Sequence, residues 1–487
     1  MKTIVVTEEP NTWKFLSDEV EIVPAIDYLM NIQAMDRIPF RVLNLCQSYN
    51  YQSIGYYTSL LAEACGHKVC PSVLTIQDFE GNAVDAMVNV ELSDEIQKTF
   101  KHIQSDEFVL SIYFGKNIAK HYDLLCRRLY AVFPMPLFKV CFKHKKDWVI
   151  QKIVPLSIND IPETHRGFLE ETAKEHLSGK RIYSPRKKTI YFDLAILHNP
   201  NDTTSPSNPS AIKRFIHAGR EMGISSELIE KEDLRFLCEY DGLFIRETTA
   251  VNHHTYRFAR RAMAERLVVI DDPVSILKCT NKVYLAELLG KHHIPIPKTD
   301  ILSKKDWKAK TAHIKFPCVL KQPDSFCSQG VEKVNNLEEL SAVIKRFFKT
   351  SELVLVQAFV PSEFDWRIGI LNHKPLFACR YFMAKDHWQI YNWQSRHHQT
   401  GDTDAVALNK LPEDVLHTAV KATKLIGDGL YGVDLKQVGN HIYVIEINDN
   451  PSIDHGVEDE LEGDALYHEI MQIFLQRMQK QRLGRHI

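Results

Sequence analysis

Apolar residues along this chain gather in short runs, broken by amphipathic stretches and polar turns, which predicts alternating strands and helices. Near the N-terminus "FRVLNLC" is a strand, "QSYNYQSIG" a polar connection and "YYTSLLAEACG" a helix closed by Gly66. "HKVCPSVLTI" reads as the next strand and completes a β-α-β unit. The run "PLFKVCFKHKKDWVIQKIVPL" alternates around "KHKKD" and predicts a hairpin. A charged helix, "THRGFLEETAKEHLSG", then leads into a linker with Gly179 and Pro185 as breakers. Beyond it "YFDLAILH", "DGLFIRE" and "RLVVIDD" are apolar strands separated by helical segments, the pattern of a small parallel sheet flanked by helices. After about residue 275 the character changes. "DDPVSILKCTNKVYLAELLG" is a helix ending at Gly290, and "FPCVLKQPDSFCSQGVEKV" is strand, polar loop, strand. "LVLVQAFVPSEFDWRIGIL", "KPLFACRYFMA" and "HWQIYNWQ" add further strands, and "VDLKQVGNHIYVIEI" closes an antiparallel set with a hairpin. The last helix, "DALYHEIMQIFLQRMQKQ", has apolar residues at helical spacing and reads as packing.

Candidate chemistry follows from the same alternation. Side chains two apart on a strand share a face, so Glu446 and Asn448 point the same way. Folding the last hairpin sets Asp434 opposite Glu446. Two carboxylates and an amide oxygen on one face suit Mg2+; a solvated outer face accounts for them equally well. Lys321 closes the apolar strand "CVLK", where a buried ammonium needs a counter-charge. The loop "DSFCSQG" is small and polar around Gly330, so its backbone N–H groups, with Ser325 and Ser328, could fold over anionic oxygens; a plain β-turn is the alternative. Lys282 lies on a helix rich in apolar residues, where a solvated lysine is the simpler reading. Arg246 ends a strand before "ETTAVNHH" and either faces a cleft at the sheet's C-terminal edge or pairs with a neighbouring acid such as Glu247. The paired histidines (253–254, 292–293, 397–398) are read as polar loop and surface residues.

Composition narrows the class. A chain of 487 residues with 44% hydrophobic and 25% charged residues is an ordinary soluble globular protein of several domains. A net charge of -2 gives no basic field for nucleic acid, and no apolar run is long enough to span a bilayer. Ten cysteines without a C-x-x-C pair, and an N-terminus without a leader's apolar core, fit a reducing cytoplasm.

Taken in order, "NKVYLAELL…HIPIPKT", "FPCVLKQPDSFCSQGV", "LVQAFV", "DWRIGIL" and "YGVDL…YVIEINDNP" resemble the ATP-grasp superfamily over roughly residues 190 to 480. Within it the chain is most similar to the RimK-type branch, relatives of glutathione synthetase. The resemblance implies an α/β multidomain fold: an N-terminal RimK-associated domain (1–160), a linker (161–188), a small parallel α/β domain (189–275) and an ATP-grasp domain (276–487) in two lobes, about 276–360 and 361–480. It implies that Lys282 and Lys321 bind ATP phosphates beneath a loop holding Ser325, Ser328 and Gly330, while Gln357, Ala358, Phe359 and Val360 line the adenine pocket. Asp365 is placed on the ribose side, Arg367 in the strand behind the phosphates and Arg380 near the transferred phosphate. Asp434, Glu446 and Asn448 are implied to hold Mg2+, with Mn2+ as a substitute.

One departure is visible. RimK-type ligases often carry Arg-Ser-Asn ahead of a glycine pair; here the stretch is "IYN", which keeps Asn392 and loses the arginine, with Arg396 as a substitute. Together with Arg246 these are the substrate-binding candidates. The implied reaction is amide formation through an acyl phosphate, joining an amine such as glutamate to a carboxylate of a peptide, protein or small molecule. A kinase-like phosphotransferase and a non-catalytic nucleotide-binding regulator are the competing readings. A homo-oligomer is left open.

Overall fold

The computed structural model describes residues 2–35, 40–80, 92–144, 146–178, 191–202, 204–324, 330–385, 387–392 and 399–482. The opening residues, read above only for a leader, form the central strand β1 (Lys2–Thr7), its Ile4, Val5 and Val6 fully buried. It lies between β2 (Glu21–Pro24) and β3 (Phe40–Asn44), with β4 (Lys68–Cys70) beyond, in a parallel sheet of order β2-β1-β3-β4. The strand expected over "HKVCPSVLTI" is cut short after Cys70. Pro71 cannot donate to the ladder, and Ser72 Oγ accepts from Thr75 N to start the helix Val73–Glu80 instead. The helix Ile54–Ala64 stops where Gly66 takes φ +72°, as expected. An antiparallel sheet follows from β5 (Glu107–Tyr113), β6 (Leu137–His144) and β7 (Trp148–Pro155); β6 and β7 are the predicted hairpin.

The middle of the chain repeats the first layout. Strands β8 (Phe192–Leu197), β9 (Ile224–Ile229), β10 (Gly242–Ile245) and β11 (Val268–Ile270) form a second parallel sheet of order β9-β8-β10-β11. β9, "ISSELI", escaped the sequence reading because its middle is polar and half-exposed at the sheet edge. The helices Ile54–Ala64 and Val73–Glu80 of the first sheet have counterparts His254–Ala264 and Pro273–Thr280 in the second, at matching positions around the last strand. Arg41 of β3 reaches Asp193 and Glu239 between the two units. The C-terminal helix Asp464–Arg482 packs on the second unit, with Tyr467 against Phe215 and Phe474 against Phe244.

Two antiparallel sheets make up the remainder. The first, β12-β15-β13-β14, uses β12 (Thr299–Ser303), β13 (Cys318–Lys321), β14 (Val331–Val334) and β15 (Leu353–Ala358). The second, β20-β17-β16-β21-β22, uses β16 (Phe364–Leu371), β17 (Lys374–Phe382), β20 (Thr403–Ala405), β21 (Leu430–Val438) and β22 (His441–Asn448). "HWQIYNWQ" does not extend it: only β18 (Tyr391–Asn392) forms, paired with β19 (Gln399–Thr400) outside the main sheet. The single helix expected to end at Gly290 is two, Pro273–Thr280 and Lys282–Lys291. Asn281 between them is extended and its side chain accepts from Tyr284 N, so Lys282 becomes the first residue of a capped helix. Among the described residues no helix is long and apolar enough to cross a membrane, and no disulfide joins the described cysteines.

Candidate functional site

The second antiparallel sheet has one apolar and one charged face. Trp366, Ile368, Val433, Leu435, Val444 and Ile447 bury one side beneath the helix Glu413–Thr423. Alternation then turns Asp365 and Arg367 of β16, Asp434 and Lys436 of β21, and Glu446 and Asn448 of β22 to the other side. The register sets Arg367 opposite Asp434, and Asp434 opposite Glu446. A bulge just beyond leaves Ile445 as the extra residue, so Ile445 and Glu446 both reach the cavity.

Charges on this face are interlocked. Arg367 grips Asp434 through both guanidinium arms, and Lys436 Nζ lies 2.5 Å from Asp365 Oδ1. Lys282 reaches over from its helix start to Glu446 Oε1 at 2.7 Å. Asn448 Nδ2 sits 3.3 Å from Asp434 Oδ2. Lys321 ends β13 in the facing sheet, buried, and no described residue accepts a hydrogen bond from its ammonium. Burial lowers its pKa to about 8, with Glu446 holding it up and Lys282 pushing it further down. Burial also opposes ionisation of Glu446, yet Lys282 and Lys321 outweigh it and keep that carboxyl below its usual range. At Asp434 burial wins over Arg367 and the shift is upward.

A cavity of about 110 Å³ lies between the two sheets. Lys282, Lys321, Asp434 and Glu446 line one end, and the segment Gln357–Ala358–Phe359–Val360 lines the other. Gln357 Nε2 donates to Thr299 Oγ1 and Ala358 N to Lys298 O, which fixes that segment against β12. Trp388 closes the cavity edge-on to Phe359, their ring centroids 6.0 Å apart. Gly330, next to the cavity-lining Val331, has φ +65°, and its carbonyl accepts from Gln322 N.

Two sequence-based placements are corrected. Arg246 does not face a cleft and does not pair with Glu247. It is fully buried, donating to Pro206 O, Pro451 O, Ser207 Oγ and Asn450 Oδ1, and so bolts two loops together. Glu247 pairs instead with His254, at 2.6 Å, and that histidine is partly buried. Arg380 lies opposite Trp366, on the face turned away from the cavity, where it grips Asp404 across β20. Ser325, Ser328, Arg396 and the side chain of Asn392 lie outside the described residues. Lys436 and Trp388 were missed. Lys436 was legible, because it stands two residues from Asp434 on the same strand and must share its face.

Hard oxygen donors are present, but in a particular electrical setting. Among the described residues no three His, Cys, Asp or Glu side chains stand together as a metal cluster; Asp434 and Glu446 offer two carboxylates, with Asn448 beside them. Four basic side chains (Lys282, Lys321, Arg367, Lys436) face three acidic ones (Asp365, Asp434, Glu446). Such a set fits a divalent cation that arrives with a polyphosphate, whose negative charge the spare cation meets, better than a bare ion.

Two family models match the chain: "RimK-like ATPgrasp N-terminal domain" over residues 25–172 and "D-ala D-ala ligase C-terminus" over residues 288–455. The chain is similar to the ATP-grasp carboxylate–amine ligases. A "Probable alpha-L-glutamate ligase" of Rhodopirellula baltica is 24% identical over 265 residues, half of this chain and 63% of that relative's length. The "Alpha-aminoadipate--LysW ligase LysX" of Saccharolobus solfataricus is 23% identical over 257 residues, 49% of this chain and 88% of its own. A crystal structure of D-alanine–D-alanine ligase from Bacillus anthracis aligns with 61% of this chain and 99% of its own, at 15% identity and a TM-score of 0.49. The match to the C-terminal model covers both flanking sheets and every cavity-lining residue except Lys282, which lies just ahead of it.

Proposed function

We propose that the protein is an ATP- and Mg2+-dependent ligase that joins an amine to a carboxylate through an acyl phosphate. The observation that carries this reading is Lys321: a buried lysine whose ammonium has no acceptor among the described residues, facing a cavity whose other cations are already matched to carboxylates. An anionic ligand is what such a group lacks. In this reading Lys321 and Lys282 receive the β- and γ-phosphates, the Gln357–Val360 segment holds the base, and Asp365 faces the ribose. Lys282 exchanges Glu446 for phosphate when ATP enters, which frees that carboxylate. Asp434, Glu446 and Asn448 would hold the metal, which would offset charge on the transferring group. Arg367 orients Asp434 and offsets part of the effect of burial on it.

The chain's own work is positioning and enclosure. Cations fixed in a water-poor cavity stabilise the phosphate in flight without reorganising. Enclosure protects an acyl phosphate from hydrolysis until the amine attacks. The relatives' names suggest an amino acid such as glutamate as the amine. The test is mass spectrometry of new amide products after incubation with ATP, Mg2+ and a panel of amino acids and carboxylates, alongside ADP release. Amide formation with matching ADP is expected. A phosphorylated product that persists with amine present would favour the phosphotransferase reading instead.

A further inference from the structure

Lys436 is the one charged group on the cavity face that the functional reading above leaves without a task. Its position follows from register. Trp366 pairs with Leu435 and Arg367 with Asp434, so the next step along the antiparallel ladder sets Asp365 beside Lys436. On each strand the two site-facing residues carry opposite charge, Asp365 and Arg367 on β16, Asp434 and Lys436 on β21. The four side chains therefore alternate in sign along and across the strands. Unlike Arg367, which engages both oxygens of Asp434, Lys436 engages only one oxygen of its partner.

That asymmetry is built by three contacts. Lys436 Nζ donates to Asp365 Oδ1 at 2.5 Å and to Ser362 Oγ at 2.6 Å, and Ser362 Oγ donates to the same Oδ1 at 3.2 Å. No described residue hydrogen-bonds Asp365 Oδ2, although the side chain is only 11% exposed and lines the cavity. A carboxylate pinned through one oxygen keeps a fixed plane and presents the other as an acceptor aimed into the cavity. A pair of vicinal hydroxyls is the ligand chemistry that needs such an acceptor.

We infer that Lys436 is a positioning residue that, with Ser362, fixes Asp365 so that its free oxygen accepts from the ribose hydroxyls of the nucleotide, and so sets the preference for a ribonucleotide. The inference rests on the cavity being the ATP site. The experiment compares binding of ATP and 2′,3′-dideoxy-ATP by calorimetry in the wild type, Lys436→Met and Lys436→Arg. Wild type is expected to bind ATP roughly tenfold or more tightly than the dideoxy nucleotide, the range for a hydrogen bond to a charged acceptor. Lys436→Met should bring the two affinities together by weakening ATP alone, and Lys436→Arg should restore much of the difference. Unchanged affinity for the dideoxy nucleotide also reports that the variant's site is folded. Lys436→Met that discriminates like wild type, or that weakens both nucleotides equally, would overturn the inference. Wild type that binds no ATP would overturn the functional reading itself, a result distinct from either.

Discussion

Replacing Lys321 with methionine separates two consequences of burying an unmatched ammonium. Methionine has a similar length and no charge, so the packing of β13 against β14 and β15 is retained. The fall of the lysine's pKa from its ordinary 10.5 to about 8 corresponds to about 3 kcal/mol held against the charged form. Its direction matters. Below pH 8 the group is protonated in both folded and unfolded chains, so the folded state bears the penalty in full; the penalty fades as pH rises from 8 towards 10.5. At pH 7 Lys321→Met should therefore stabilise the empty protein by up to about 3 kcal/mol, a net figure in which the attraction of Glu446 is already included. ATP binding should move the other way, weakening by roughly ten- to a hundredfold for the loss of a charge-assisted bond. In the wild type, ATP affinity should also fall as pH rises above about 8, because the anion needs the protonated lysine. Thermal unfolding without nucleotide and calorimetry with ATP read the two effects on the same samples. A variant that melts lower than wild type and binds ATP equally well would refute the reasoning, since both signs would be wrong.

Three further substitutions sort function from framework. Glu446→Gln keeps the shape of the β21–β22 pair and removes one metal-side charge; turnover should fall by roughly a hundredfold or more with the fold intact, and near-wild-type ADP release at saturating ATP and magnesium would count against the site. Arg246→Leu strands the carbonyls of Pro206 and Pro451 in a buried setting and should destabilise by about 3 kcal/mol or more; a normal melting temperature with only a raised acceptor KM would return Arg246 to substrate binding. Arg380→Ala loses a partly exposed pair with Asp404 on the far face and should change stability by no more than about 1 kcal/mol and turnover hardly at all, whereas a large drop in turnover would place Arg380 at the phosphates.

How much was legible depended on whether local pattern or tertiary context decides. The β21–β22 hairpin, the alternation that unites Asp434, Glu446 and Asn448, and the paired strands around Lys321 were readable because period-two patterning fixes a face as soon as a turn is placed. β1 and β9 were not: one is a short run of three apolar residues between polar ends, and the other is half-polar at an edge. The break at Asn281 hid inside a continuous helical pattern, yet it places Lys282 at a helix start within reach of Glu446. Arg246 and Arg380 were misplaced for a common reason. A strand-end or strand arginine has several acceptors within its length, and only the folded arrangement shows that Pro206, Pro451 and Asp404 are the ones it meets. The likeness between the two parallel units is carried by strand order and helix placement, which no short motif records.

The central claim, transfer of the γ-phosphate to a carboxylate before amide formation, is tested most directly by isotope transfer. The acceptor identified in the product screen is supplied with both carboxylate oxygens as 18O, and the inorganic phosphate released during turnover is examined by mass spectrometry. The account predicts one 18O atom in each phosphate, carried over when the amine displaces it, and ADP as the nucleotide product. Unlabelled phosphate, or label found in AMP, would contradict it.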